Sequence, residues 1–146
     1  MLLLASCAAP AKHFGDVDGR LSDSAVRSFA LQDESEASAA VRDALIDAGF
    51  DEREDGRLRV EVGFSIRPDD LAVLARDGLK SRQVLSPPSE SSISLCDKEA
   101  YVLTLAFIDT SSGKVVSRSG ATMSRCSGEP AEILRKLARA ALPFPT

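Results

Sequence analysis

The sequence predicts an α/β chain of the α+β kind: a mixed, mainly antiparallel sheet of about four strands, with two helices packed on one face. Three observations carry this. Residues 37–48 and 133–141 place apolar side chains at helical spacing. Residues 58–66 alternate apolar and polar positions. Residues 101–109 and 114–124 flank a Thr-Ser-Ser-Gly turn and read as a hairpin. A length of 146 residues, 44% of them hydrophobic, suits one domain with a real core. With six Phe, one Tyr and no Trp, that core must be built mainly of Leu, Val, Ile and Ala.

From the N-terminus, Leu4-Ala5-Ser6-Cys7 matches the lipobox of bacterial lipoproteins. The signal peptidase needs small side chains beside its cut, and the cysteine thiol must be free to take a diacylglycerol. Residues 1–6 then read as a truncated lipoprotein signal, since none is basic and the apolar run is short. The expectation is a natural start further upstream or a trimmed chain. Residues 7–23 are small, polar and without a period, the composition of a tether that does not pack. Residues 24–146 form the domain. Ala8 and Ala9 follow Cys7, and the absence of Asp there resembles the outer-membrane address of enterobacterial lipoproteins. The partner this implies is a membrane, held through a lipid anchor from its periplasmic face, because two or three acyl chains make attachment stable.

Residues 26–31 read as a short strand with Phe29 and Leu31 on one face. Asp33 and Glu36 have the spacing of a capping box. The helix that follows carries Ala37, Val41, Ala44, Leu45 and Ala48 on one stripe. Gly49 stands where a left-handed residue ends a helix, and Phe50 where it would fold back on Leu45. The run from Asp51 to Gly56 reads as a solvated turn, because its acids lack the alternation of a calcium loop. Residues 58–66 form the clearest strand: Leu58, Val60, Val62, Phe64 and Ile66 face a core, while Arg59 and Glu61 face water. Residues 68–78 suggest a short helix, and residues 80–94, rich in Ser and Pro, a loop. Residues 101–109 are apolar on both faces and predict a central strand. The final helix starts near Pro130, buries Ile133, Leu134, Leu137, Ala138 and Ala141, and stops at Pro143.

Folding the hairpin about its turn brings Cys96 and Cys126 opposite each other, or one place off, at its open end. Facing Cβ atoms lie about 4.5–5.5 Å apart, close to disulfide geometry. Such a bridge would close a loop of roughly 30 residues and contribute about 2–4 kcal/mol. Disulfides persist in oxidising compartments such as the periplasm, so the cysteine pair and the lipobox point to export independently.

Charge excludes one class of partner. The net charge is −4, with the excess of acid before Leu58, and no basic stripe exists for nucleic-acid phosphates. Catalytic signatures are missing from the sequence as well. The single histidine, His13, falls in the tether and reads as a solvated linker residue. There is no nucleophile elbow, phosphate loop or zinc spacing. Asp69, Asp70, Asp97 and Glu99 are carboxylates that a glycan hydrolase would need in pairs, supported by position alone. Tyr101, at the start of a central strand, reads as core. No catalytic residue, cofactor or metal site is expected.

The segments Ser28-Phe29-Ala30-Leu31, Ala44-Leu45-Ile46-Asp47-Ala48-Gly49-Phe50 and Arg57-Leu58-Arg59-Val60-Glu61-Val62 occur in an order seen elsewhere. With the hairpin from Phe107 to Gly120 and the ending Leu142-Pro143-Phe144-Pro145, the chain resembles the bacterial lipoproteins grouped as domain of unknown function 4136. The resemblance implies an envelope lipoprotein of α/β build and supplies no catalytic residues. The expectation is a non-catalytic envelope module that binds a partner protein. An accessory lipoprotein of a lipid or solute transporter is the alternative, and a carboxylate-dependent glycan hydrolase a more distant one.

Overall fold

A computed structural model describes residues 10–15, 21, 26–68, 73–77, 80–85, 98–126 and 128–144. Its strands are β1 (Lys12–Gly15), β2 (Ser28–Leu31), β3 (Asp51–Glu52), β4 (Leu58–Pro68), β5 (Val73–Asp77), β6 (Lys80–Leu85), β7 (Glu99–Asp109) and β8 (Val115–Arg125). Its helices are α1 (Glu36–Asp47) and α2 (Pro130–Ala141). Six strands form one mixed sheet in the order β1-β8-β7-β4-β2-β3, and β5 and β6 form a separate antiparallel pair. β2 is parallel to both β3 and β4, and the other neighbours are antiparallel. The α+β class with two helices and a mixed sheet therefore holds, while the count of about four strands is too low.

The helices pack on one face. Their buried side chains, Val41, Ala44 and Leu45 from α1 and Ile133, Leu134, Leu137, Ala138 and Ala141 from α2, meet Phe29, Leu58, Val60, Leu103, Leu105 and Phe107 in one core. α1 begins differently from the capping-box expectation. Ser35 is the N-cap and accepts from the Ser38 N–H at 3.2 Å. Asp33 sits outside the helix, accepting from Ser35 N–H and from the Ser38 hydroxyl. The end of α1 follows the sequence. Gly49 has φ +87°, Phe50 N–H donates to Leu45 C=O at 3.0 Å, and Gly49 N–H donates to Ile46 C=O at 2.9 Å. These are the two bonds of a Schellman motif. Phe50 is then buried and stacks on Phe144, ring centroids 5.2 Å apart.

Four further expectations are corrected. The tether was expected not to pack, yet residues 12–15 form β1 on the edge of the sheet, with Lys12 opposite Thr122 and Phe14 opposite Gly120. Phe14 explains it: the ring is 7% exposed and lies over Gly120, where a Cβ would come within 2.4 Å of it. Asp51 and Glu52, read as part of a turn, form β3, because Asp51 and Arg53 donate backbone bonds to Arg27 and Phe29. Within residues 68–94, expected as a helix then a loop, the described backbone is the β5–β6 pair, whose sequences Val-Leu-Ala-Arg-Asp and Lys-Ser-Arg-Gln-Val-Leu suit a ribbon as well as a turn of helix. Finally, the β7–β8 register shifts at Phe107/Ile108, so Glu99 faces Arg125. At its last described pairs that register is one or two places off the one expected from the turn. A bulge of this kind inserts one residue and cannot be seen from turn position alone.

Candidate functional site: the open half of strand β4

β4 is anchored at its start and exposed at its end. Leu58 and Val60 are buried in the core, and β2 pairs with Leu58, Arg59 and Val60 only. After Leu31 the chain leaves the sheet toward α1. β7 continues to pair with β4 as far as Pro68. From Glu61 onward, β4 therefore has a strand on one side and none among the described residues on the other.

The direction of the backbone groups follows from one hydrogen bond. Thr110 N–H donates to Arg57 C=O at 3.0 Å, which makes this facing pair a hydrogen-bonded one. Such pairs alternate along an antiparallel ladder. Arg59, Glu61, Gly63, Ser65 and Arg67 thus turn their N–H and C=O toward β7. The Thr104 hydroxyl donates to Gly63 C=O at 3.3 Å, in keeping with that direction. Val62, Phe64 and Ile66 turn theirs toward the open edge.

The same three residues carry apolar side chains on the helix face of the sheet. Phe64 is 38% exposed and Ile66 51%, although their cross-strand partners Leu103 and Tyr101 are buried. Length explains the exposure: an eleven-residue strand runs about 36 Å, whereas a twelve-residue helix covers about 18 Å. The alternation of residues 58–66 is real, but its last two apolar residues outrun the helices. On the opposite face, half-buried Arg59 and exposed Glu61 lie 3.3 Å apart, and Arg67 is exposed near the strand's end.

The other residues singled out from the sequence are scattered. Cys7, Cys96, Asp69, Asp70 and Asp97 lie outside the described residues. Cys126, one residue past β8, is disulfide-bonded to a cysteine outside the described residues. Glu99 is exposed at the start of β7 and accepts from the Tyr101 hydroxyl at 2.8 Å. That bond, with burial second, holds the Tyr101 phenol above its ordinary value. Tyr101 itself belongs to the core, as read from the sequence. His13 is no linker residue: it lies in β1, and Nδ1 is 2.8 Å from Ala140 C=O, so this nitrogen carries the proton and donates to α2. In the hairpin turn, Asp109 accepts from Ser111, from Ser112 and from Arg57, and these bonds hold its carboxyl well below the usual range. This is turn chemistry on the surface. Among the described residues, no three His, Cys, Asp or Glu side chains group to hold a metal, and no helix is long and apolar enough to cross a membrane.

No protein-family model matches the chain, and no curated protein matches it. Its fold is similar to that of a PDZ domain protein from Parabacteroides distasonis, at 12% identity and TM-score 0.51 over 88% of this chain and 33% of that one. It is also similar to PelC from Paraburkholderia phytofirmans, solved as a dodecamer, at 13% identity and TM-score 0.50 over 92% of this chain and 96% of that one. The chain thus spans about a third of the PDZ domain protein and nearly all of PelC. At such identities the likeness concerns the fold alone.

Proposed function

We propose that this chain is a non-catalytic envelope lipoprotein, exported, anchored through a lipid on Cys7, and acting as a binding module within a protein assembly. The disulfide at Cys126 carries the reading, because such bonds persist in oxidising compartments and are rare in a reducing cytosol. The sequence Leu4-Ala5-Ser6-Cys7 supports the anchor. With Cys7 committed to lipid, Cys96 is the partner of Cys126. The binding surface is the open half of β4, where three residues offer backbone groups that no described strand pairs and two offer exposed apolar side chains, the requirements for adding a strand. PelC, whose fold is similar, assembles as a dodecamer, which supports an assembly role for a domain of this shape. The resemblance to the lipoproteins of domain of unknown function 4136 is part of the same proposal.

The intact mass of the protein from its native host, before and after reduction, tests it. The expected result is added acyl mass on a chain that begins at Cys7, with a gain of two hydrogens on reduction. An unmodified, fully reduced chain that retains Met1 would overturn the proposal.

A further inference from the structure

We infer that the open half of β4 pairs with the same segment of a second copy of this chain, antiparallel and centred on Phe64, joining two sheets across a two-fold axis. The inference rests on the reading of this chain as a binding module and names its partner.

The strand is complementary to itself in this register. Val62, Phe64 and Ile66 aim their N–H and C=O groups at the open edge. Centring on Phe64 sets Val62 opposite Ile66 of the second copy, Phe64 opposite Phe64, and Ile66 opposite Val62. All three are then hydrogen-bonded pairs. Glu61 falls opposite Arg67, and by symmetry Arg67 opposite Glu61, so two ion pairs form on the outer face. Gly63 falls opposite Ser65, and the smallest side chain allows close approach where facing Cα atoms lie about 4.5 Å apart. A two-fold axis normal to the sheet keeps both helix layers on one side. Phe64 and Ile66 of the two copies therefore meet on the same face and lose their exposure to water.

Neighbouring registers are worse. Centring on Gly63 sets Arg59 against Arg67, and centring on Ser65 takes Glu61 away from Arg67. Like charges directly opposite destabilise a strand pair. The pairable stretch is also bounded on both sides. Leu31 of β2 occupies the edge at Val60, and Pro68 lacks the N–H that would point to the edge. An isologous contact of this kind closes at two copies and does not propagate, unlike a long open strand edge.

Sedimentation equilibrium of the full 146-residue chain and of charge-swapped variants tests the inference. The wild type is expected to show a reversible monomer–dimer equilibrium. Glu61→Arg alone and Arg67→Glu alone each place like charges together twice, and each should raise the dimer Kd about tenfold. The double swap Glu61→Arg, Arg67→Glu should return Kd to near the wild-type value. Both positions of change are exposed surface, so folding is not at stake, and circular dichroism checks it. A chain that stays monomeric at every concentration would overturn the inference and leave the edge to a strand of another protein. A dimer indifferent to the swaps would overturn it too. The mass measurement does not respond to these substitutions, so the envelope reading and the self-pairing fail separately.

Discussion

Tyr101 is the only tyrosine in the chain, so phenolate absorbance reports a single residue. Its hydroxyl donates to Glu99, and a carboxylate acceptor favours the neutral phenol. The folded-state value is raised, so the stabilisation is complete below the unfolded value near pH 10 and is lost as pH climbs through the folded one. Glu99→Gln should bring the titration midpoint of the native protein down toward about 10. An unchanged midpoint would show that burial, not Glu99, sets the value. Ser117 and Ser119 are a different case. Both are buried on the helix side of β8, and neither hydroxyl has a hydrogen-bond partner among the described residues. Residue type foretold Tyr101 well, because an aromatic in a strand apolar on both faces has little alternative to the core. It misjudged His13, since a histidine among small polar residues carries no sign of the carbonyl of Ala140 that it meets in space.

Elements whose punctuation is local were legible. Gly49 and Phe50 announce the end of α1, and Pro130 the start of α2, because both signals act within one helical turn. Elements whose existence depends on a distant neighbour were not. β1 has four residues and only one buried side chain, and its stability comes from Gly120 leaving room for Phe14. Phe14→Ala should remove that contact at a cost of about 3 kcal/mol. Hydrogen exchange is the measurement to make: amides of β1 should lose protection while those of β7 and β4 keep it. Protection retained in β1 would mean that the backbone bonds to β8 and the His13–Ala140 contact suffice. The open half of β4 was half legible. Its alternation is plain in the sequence, but that β2 stops at Val60 depends on where the chain turns into α1.

For the whole molecule, class and hydrophobic layering followed from periodicity, whereas sheet order did not, since no local pattern says that the first strand pairs with the last. The disulfide acts at this scale because it restrains the unfolded chain more than it adds a contact. Cys126→Ser should lower stability by about 2–4 kcal/mol and Tm by roughly 10 °C, and reductant should produce the same loss in the wild type. A Tm that ignores both treatments would mean that the bridge closes no loop of consequence.

β1 also has a bearing on time. Its strand partner and its helix partner both come from the far end of the chain; His13 and Ala140 are 127 positions apart. Contacts so remote in sequence carry the largest loop-closure entropy and form late. β1, synthesised before the other described strands, is thus the last of them to find its place, and the sheet is completed only after α2 has arrived. Until then the N-terminal segment is free of the domain, for as long as the rest of the chain takes to fold.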